Sequence, residues 1–485
     1  MRDKTAPAYR FIRKTAEITG VQPTMSRFRH SLLAMALIAS GAMGAASAQL
    51  LPQISVPQVQ LPPVTGPGGV GGAVGGVIDQ VGQTVGQTGS AAQQVTRSDV
   101  EKAVKPSLAR VNIERWIQSA PPATLLDLRR LRLAELVKDN RATLEMDGSG
   151  NPTVRGRLLA IDPPDGALAI ATRAGFTIAG DERDATLGIR TVTLAIPRGM
   201  NTPAAMQLLR RAAPSLNIEF DHIFEPAGGA LAASSVALAT GTAASAAGRP
   251  LIGMIDGGVG QSAALAAAEI EQRGFAGAAQ ATGHGTAVAS LIVGNNGKFR
   301  GAAPGASLLV GDVYGGNPAA GSATVVTKAL SWLASRRPAV INVSLVGPRN
   351  RLVERAVAAV QARGIKVVAA VGNDGPAAPP LYPASQPGVI AVTGVDASNR
   401  AIPEAGRAAH LDFAGPGADM AAALPGKGYA AVRGTSFAAP FITSRLAVTG
   451  SLAALNAELS KGHGRIGRGI VCAKCRIPPK QVGAK

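Results

Sequence analysis

The chain has 485 residues, a hydrophobic content of 46% and a formal net charge of +19. This length allows more than one domain. Since aromatic residues make up only 3% of the chain, its cores must be built from Ala, Val, Leu and Ile. The positive charges are scattered singly or in short pairs, and no basic helix has interleaved aromatic residues. Because single-stranded nucleic acids stack on aromatic side chains, the composition argues against nucleic-acid binding.

The N-terminal region has the layout of a secretory signal peptide. A basic start precedes an apolar run over residues 32–43, and Ala-Ser-Ala at 46–48 forms a small-residue cleavage site. The sequence therefore predicts a leader and signal peptide over residues 1–48 and an exported protein, either periplasmic or secreted. The alternative is that this segment is not cleaved and remains as a membrane anchor. The protein starts at Met1 or at Met25. No later stretch reaches the roughly 18 uninterrupted apolar residues of a membrane span, so none is expected after signal cleavage.

Residues 49–95 are rich in Pro and then in Gly, which predicts a flexible low-complexity spacer. A small α+β unit is expected within residues 96–249. Its predicted elements are a helix at 123–139, a strand at 190–197, a helix at 201–214 and a strand at 217–224. The Ala-rich stretch 226–249 predicts an exposed linker that is open to cleavage.

Over residues 250–450 the pattern changes to short Val- and Ile-rich runs that alternate with helical segments. Strands are predicted at 251–256, 307–314, 339–345, 365–373 and 389–395, with helices at 285–294, 324–335 and 352–364. Runs that are apolar throughout suit strands buried on both faces of a parallel sheet, and the alternation predicts a doubly wound α/β domain. Ligand sites in such sheets lie at the carboxyl ends of the strands.

The basic tail at 451–485 contains both cysteines of the chain, Cys472 and Cys475, in the sequence CAKC. In an exported protein, a local disulfide is the leading interpretation. A redox site needs a strand–helix setting that this tail lacks, and a zinc site needs four ligands where only His463 lies near. Free thiols are the other alternative.

Four polar residues stand at predicted strand ends or helix starts. Asp256 ends "LIGMID", Asn373 ends "VVAAVGN", His284 lies between two glycines before an apolar helix, and Ser436 begins another helix. Each has a plain structural explanation, as a turn residue, a helix cap or a surface histidine. Together they supply a nucleophile, a base, a carboxylate that orients the base and a donor for an oxyanion.

The region 248–450 resembles the subtilisin-like serine proteases in the chain order Asp–His–Ser and in "HGTAVASLIVG", "AVGNDGP" and "GTSFAAP". The resemblance implies an endopeptidase that hydrolyses protein or peptide substrates through an acyl-enzyme, with no cofactor. It implies that Ser436 is the nucleophile, His284 the general base and then acid, and Asp256 the orienting carboxylate. The Asn373 amide and the Ser436 backbone N–H would form the oxyanion hole.

The same resemblance implies a substrate groove, and it says which residues line it. The substrate-binding residues would be Ser344, Leu345, Ala370, Val371 and Gly372. Calcium sites are common in the family, but no acidic cluster in this sequence indicates one, so no metal is expected.

Residues 108–225 resemble, less closely, the propeptides of secreted members of the family. This resemblance implies a prodomain that assists folding and acts as an intramolecular inhibitor until it is cut away. An accessory domain of another role is the alternative.

Two substitutions depart from the family pattern. Gly257 replaces the usual Thr or Ser after the aspartate, which removes a hydroxyl that could support the carboxylate. Val346 replaces a glycine and is expected to narrow the groove. These departures and the short tail motivate a second hypothesis, a non-catalytic binding protein on a protease scaffold. The charge of +19 motivates a third, a basic binder of the cell envelope.

Overall fold

The computed structural model describes residues 122–164, 166–227, 248–426 and 428–484, which belong to one compact unit. The predicted signal peptide (1–48), the spacer (49–95) and all but the ends of the predicted linker lie outside the described residues. None of the helices in the described ranges combines the length and the apolar character that crossing a membrane requires.

The N-terminal part, up to residue 226, is a five-stranded antiparallel sheet with three helices. Its elements are α1 (Pro122–Asp139), β1 (Leu144–Met146), β2 (Pro152–Ile161), α2 (Ala167–Arg173), β3 (Thr177–Asp184), β4 (Ile189–Ala195), α3 (Thr202–Ala212), β5 (Ile218–His222) and β6 (Glu225–Pro226). The sheet order is β1-β2-β4-β3, with β5 paired to β2, and β6 pairs elsewhere. Both predicted helices and both predicted strands are present. The sequence did not indicate β3, because its largely exposed, charged residues show no apolar alternation.

The C-terminal part contains a seven-stranded parallel sheet in the order β16-β15-β14-β12-β7-β11-β8. Its elements are β7 (Leu251–Asp256), β8 (Ile270–Gly274), α4 (Gly283–Val293), β9 (Asn295–Asn296), β10 (Phe299–Arg300), β11 (Ser307–Asp312), α5 (Ala323–Arg336), β12 (Val340–Val343), β13 (Leu345–Val346), α6 (Arg351–Gln361), β14 (Lys366–Ala370), β15 (Ile390–Val395), β16 (Phe413–Pro416), β17 (Met420–Ala423), β18 (Tyr429–Val432), α7 (Thr435–Thr449) and α8 (Leu452–Asn456). The predicted doubly wound α/β class is confirmed.

Both faces of this sheet are covered by helices. On β11, Leu308 and Val310 pack in the core that contains α4 and α7, whereas Leu309 packs in the core that contains α5 and α6. Successive side chains of a strand point to opposite faces, so an apolar run serves both cores. Each fully buried leucine contributes about 2 kcal/mol of burial free energy. The buried strands therefore hold the polar residues at their carboxyl ends on a rigid base.

Successive side chains of strand β2 also point to opposite faces, and in this way β2 joins the N-terminal part to the C-terminal part. Leu158 and Ala160 lie in the core beneath α2 and α3, while Leu159 and Ile161 lie in the core that contains α5 and α6. The N-terminal sheet therefore has two apolar faces, one for its own helices and one for the C-terminal domain.

Two carboxylates of β5 also reach helices of the C-terminal domain. Asp221 accepts a hydrogen bond of 2.9 Å from the backbone N–H of Thr324 in α5. Glu219 accepts one of 3.1 Å from the backbone N–H of Arg351 in α6. Carboxylates are stabilised at helix N-termini, where backbone N–H groups lack partners and the helix dipole is positive. These contacts set the position of the N-terminal sheet on the domain.

The C-terminal tail is packed rather than extended. Cys472 and Cys475 form a disulfide. Just before it, Ile470 and Val471 are fully buried. The Arg476 guanidinium then donates hydrogen bonds to backbone carbonyl groups of neighbouring loops.

Candidate active site

Three of the four polar residues form a chain of hydrogen bonds at the carboxyl end of the sheet. The Nδ1 of His284 lies 2.9 and 3.0 Å from the two carboxylate oxygens of Asp256. Its Nε2 lies 3.0 Å from the Oγ of Ser436. With Nδ1 donating to the carboxylate, Nε2 is left to accept the serine hydroxyl proton.

The elements that carry these side chains explain the arrangement. Asp256 is the last residue of β7, and His284 and Ser436 lie in the first turns of α4 and α7. The Thr282 hydroxyl caps α4 by accepting a hydrogen bond of 2.9 Å from the backbone N–H of Gly285. Asp256 and His284 are 1% and 6% exposed, and Ser436 is fully buried. The carboxylate–imidazole pair is thereby shielded from water, which strengthens their interaction.

Glycine is required by close packing at two positions of the site. A Cβ on Gly285 would collide with the carbonyl oxygen of Gly257. A Cβ on Gly257 would lie 2.6 Å from the Cγ2 of Thr282, so this structure has no room for the hydroxyl residue expected there. The Asp256 carboxylate is nevertheless held, because the backbone N–H of Gly257 donates a hydrogen bond of 2.7 Å to it.

Asn373 follows β14 and is oriented by the start of α7. Its side-chain oxygen accepts a hydrogen bond of 2.9 Å from the backbone N–H of Thr435. This contact turns the amide nitrogen of Asn373 in the opposite direction, where it donates to the carbonyl oxygen of Ala227. Thr435 also accepts a hydrogen bond of 3.1 Å from the backbone N–H of Gly372.

A buried polar chain supports Ser436 from behind. The Ser344 hydroxyl donates to the carbonyl oxygen of Ser436 at 2.8 Å and accepts from the Asn342 amide at 2.9 Å. Thr443 in α7 completes the chain by donating to Asn342 at 3.0 Å. Buried polar groups that are fully paired hold a site rigid, since an unpaired alternative is costly. No sequence motif indicated a role for Asn342 or Thr443, which were predicted only to lie in a strand and in a helix.

The residues that the resemblance predicts for the substrate groove lie beside this series of hydrogen bonds. Leu345 pairs through its backbone with Pro226, and its side chain lies in the core with α5 and α6, as does that of Val371. Ala370 lies in the opposite core, together with Ala227. Gly372 lies next to Asn373, and the carbonyl oxygen of Ser344 accepts a hydrogen bond of 2.9 Å from the backbone N–H of Ala227.

The end of the N-terminal part therefore pairs with residues that are predicted to line the substrate groove. Strand β6 pairs antiparallel with β13, with Pro226 opposite Leu345 and Glu225 opposite Val346. The prediction of an exposed linker from residue 226 is wrong at Ala227, which is 3% exposed. Composition suggested a free linker, but backbone pairing to a groove does not depend on side-chain type.

Helix α1 contacts the loop that carries Asn373. Arg129 and Arg132 form ion pairs with Asp374 at 2.9 and 3.1 Å. Arg132 also lies 3.3 Å from Glu225 in β6. Although the Arg132 side chain is half exposed, its partial burial opposes the charge. Glu225 and Asp374 outweigh that effect and raise the pKa of Arg132. Helix α1, strand β6 and the loop that carries Asn373 are thus joined by one network of ion pairs. The sequence did not indicate this network.

A second acidic group lies beside Asp256 without joining the hydrogen-bond chain. Asp312, at the end of the neighbouring β11, is fully buried, and its burial together with the Asp256 charge raises its pKa. Backbone N–H groups of Gln280, Tyr314 and Gly315 oppose that shift by donating to its carboxylate. Asp312 therefore anchors the loop after β11. Within the described ranges, no three His, Cys, Asp or Glu side chains are grouped as metal ligands.

The C-terminal domain is similar to proteins of a known family. Residues 252–460 match the model of the subtilase family. Subtilisin Savinase of Lederbergia lenta is 35% identical over 169 residues, which are 34% of this chain and 62% of that protein. The major intracellular serine protease of Bacillus subtilis (strain 168) is 34% identical over 174 residues, 34% of this chain and 54% of that protein. The chain thus spans about half the length of these relatives.

One solved structure resembles a larger part of the chain. It is that of fervidolysin from Fervidobacterium pennivorans, described as a keratinolytic enzyme related to subtilisin. The TM-score is 0.54 at 18% identity, and the alignment covers 69% of this chain and 63% of that one. At this identity the similarity shows the shared fold.

Proposed function

We propose that this chain, whose residues 252–460 form a subtilase domain, is an exported serine endopeptidase that first cuts its own chain after Ala227. The observation that carries the proposal is the hydrogen bond from the Asn373 amide to the Ala227 carbonyl, in a site with a serine–histidine–aspartate chain. A carbonyl in contact with such a donor is in the place where a scissile carbonyl is polarised.

The first half of the reaction forms an acyl-enzyme. The Oγ of Ser436 attacks the carbonyl carbon, and its proton passes to the Nε2 of His284. Asp256 holds the tautomer of the ring and stabilises the imidazolium that forms. The Asn373 amide and the backbone N–H of Ser436 stabilise the oxyanion. As the carbonyl re-forms, the C–N bond breaks, and His284 gives its proton to the departing amine.

The second half releases the new carboxyl end. A water molecule gives a proton to His284 and attacks the acyl carbon with the remaining hydroxide. The bond from Ser436 to the acyl carbon then breaks, and the proton on His284 returns to the serine oxygen. The reaction uses only protein groups and water.

After the cut, the N-terminal part would act as an intramolecular inhibitor. The new chain end at Ala227 keeps its backbone pairing with Ser344 and β13. The carboxylates of Glu219 and Asp221 keep their hydrogen bonds to helices of the domain. These contacts support a prodomain that blocks the groove until it dissociates and is degraded, and they speak against an unrelated accessory domain.

Export to the periplasm or beyond is part of the proposal. It is supported by the signal-peptide pattern at 1–48, which lies outside the described residues. The domain boundaries at 250 and 450 and the protein or peptide substrates likewise belong to the proposal.

A fluorophosphonate probe tests the serine directly. The purified chain is expected to react at Ser436, and Ser436→Ala is expected to abolish labelling. Mass spectrometry is expected to find a cut after Ala227 in the wild type and an intact chain in Ser436→Ala. The matched control is Ser398→Ala, which changes an exposed loop serine and is expected to keep both signals.

Two results would overturn the proposal. Labelling that survives Ser436→Ala would assign the reaction to another residue. A wild-type chain that neither reacts with the probe nor cuts itself would instead favour the non-catalytic binding protein.

A further inference from the structure

We propose that this enzyme cleaves after alanine and excludes larger residues, because Leu381 and Val346 fill the pocket for the side chain that precedes the cut. The inference rests on the proposed function and names its substrate class. The decisive group is Leu381, which lies outside the motifs that the sequence presents.

The position of the pocket follows from Gly372, next to Asn373. A Cβ placed on Gly372 would lie 2.8 Å from the Cδ1 of Leu381 and 3.5 Å from the Cγ1 of Val346. Leu381 and Val346 are 2% and 5% exposed. Their side chains therefore occupy the space beside the backbone that leads to Asn373.

Backbone pairing holds Leu381 in this place. Gly347 and Tyr382 exchange two hydrogen bonds of 2.9 Å each, N–H to carbonyl in both directions. This antiparallel bridge holds the loop that carries Leu381 beside β13, which carries Val346, and both side chains reach the Cβ position of Gly372. The Leu381 side chain thus forms a pocket wall whose backbone is anchored next to a paired residue. The loop that carries it cannot move aside without breaking both hydrogen bonds between Gly347 and Tyr382.

Ala227 shows what the pocket accepts. It is 3% exposed and packs in one buried cluster with Val346, Ala370 and Leu381. Its backbone is held at both ends, by the Ser344 carbonyl and by the Asn373 amide. A side chain longer than a methyl group would have to enter the volume of Leu381, and close-packed interiors tolerate such insertion poorly.

A second pocket holds the ring of Phe224, which can contribute more binding free energy than the methyl group of Ala227. Phe224, three residues before Ala227, is fully buried and lies in the core with α5 and α6. Its ring covers Gly347, where a Cβ would lie 2.6 Å from it. Its carbonyl oxygen accepts a hydrogen bond of 3.1 Å from the Tyr314 hydroxyl, and its backbone N–H donates to the Gly321 carbonyl at 2.8 Å.

The substrate class is therefore an extended segment with an aromatic residue three positions before an alanine, as in the chain's own Phe-Glu-Pro-Ala. Burying an aromatic side chain contributes more to binding than burying a methyl group, since the apolar area removed from water is larger. The aromatic residue supplies affinity, and the alanine pocket sets the position of the cut.

The test uses self-cleavage of the full chain, followed by mass spectrometry of the new termini. Ala227→Phe and Ala227→Leu are each expected to slow the cut at this position by about 100-fold or more, since discrimination of roughly 10- to 200-fold follows from a single methylene group. Adding Leu381→Ala to either variant is expected to restore at least about tenfold. The matched control is Leu455→Ala, which removes the same volume from a fully buried leucine of α8 and is expected to restore nothing.

A peptide assay keeps the proposal testable if the Ala227 variants fail to fold. Wild-type enzyme that has processed itself is given p-nitroanilides of Phe-Glu-Pro-Ala and of Phe-Glu-Pro-Phe. The alanine peptide is expected to have a kcat/KM about 100-fold higher, and Leu381→Ala is expected to narrow or reverse that ratio.

The outcomes separate this proposal from the proposed function. Equal cleavage of Ala227→Phe and wild type, or of the two peptides, would overturn the alanine pocket. Labelling of Ser436 by the fluorophosphonate probe without any cut after Ala227 would overturn it too, while leaving the serine chemistry intact. A chain that neither reacts with the probe nor cuts would remove the proposed function and the pocket with it.

Discussion

Replacing Arg129 by alanine is expected to speed the release of the N-terminal part from the groove. Arg129 pairs with Asp374 at 2.9 Å, and the two side chains are only 9% and 5% exposed. Removing one partner of a buried ion pair costs about 3–5 kcal/mol, because the other charge stays buried without compensation. Arg132 still faces Asp374 at 3.1 Å, but its side chain is 53% exposed, so it compensates only in part.

The expected net loss is therefore about 2–3 kcal/mol of affinity between the cut N-terminal part and the domain, or about 30- to 150-fold. The assay follows the rise of peptide hydrolysis after self-cleavage at fixed protein concentration, since the proposed function predicts that activity appears as the N-terminal part dissociates. Asp374 lies next to Asn373, so kcat of the fully released enzyme is measured as well, and it is expected to be that of the wild type.

Arg130→Ala provides the matched control on the same helix. Arg130 pairs with Asp127 at 2.9 Å, but these side chains are 69% and 64% exposed. Exposed ion pairs contribute little, so this variant is expected to release the N-terminal part within about twofold of the wild-type rate. If Arg129→Ala and Arg130→Ala release it equally fast, the buried pair does not hold the groove closed and the reasoning is refuted.

Three further changes test the site and its support. Asn373→Ala is expected to lower kcat by about a hundred- to a thousand-fold with little change in KM, because an oxyanion donor is lost; unchanged peptide kinetics would argue against that role. Asp147→Asn is expected to lower the free energy of unfolding of the uncut chain by about 1–2 kcal/mol at neutral pH. Burial disfavours the charge of Asp147, but hydrogen bonds from His222 and from its own loop outweigh it and lower its pKa to about 2. This stabilisation is present above the usual pKa of 3.8 and is lost as the pH falls through about 2, so the melting temperatures of variant and wild type should converge there. Gly285→Ala is expected to abolish self-cleavage, because the new methyl group would collide with the Gly257 carbonyl oxygen beneath the histidine; normal cutting would show that the helix can shift at no cost.

The amino-acid sequence was enough to predict the class of the C-terminal domain and to nominate the four residues of the candidate site. Strands β7 and β14 are apolar except for Asp256 at the end of β7 and Lys366 at the start of β14. Asp256 and Asn373 follow from the rule that sites form at strand ends. His284 and Ser436 stand at helix starts among glycines and other small residues, where the local backbone restricts the choice of residue. These signals are local, so they can be read along the chain. The edge strands β3 and β8 gave no such signal, because they are short of buried apolar residues.

The groups that lie against the site could not be predicted from the sequence, because they come from distant segments of the chain. Arg129 and Asp374 are 245 residues apart in the chain. The side chain of Leu381 lies against Gly372, in a loop that is held by the backbone bridge between Gly347 and Tyr382. The composition around Ala227 predicted an exposed linker, yet the carbonyl oxygen of Ala227 accepts a hydrogen bond from the Asn373 amide. Contacts of this kind depend on the register and packing of distant segments. The same residue types would not make these contacts if the segments paired in another register. A motif restricts its own backbone, whereas a pocket wall or an ion pair exists only after folding has brought its members together.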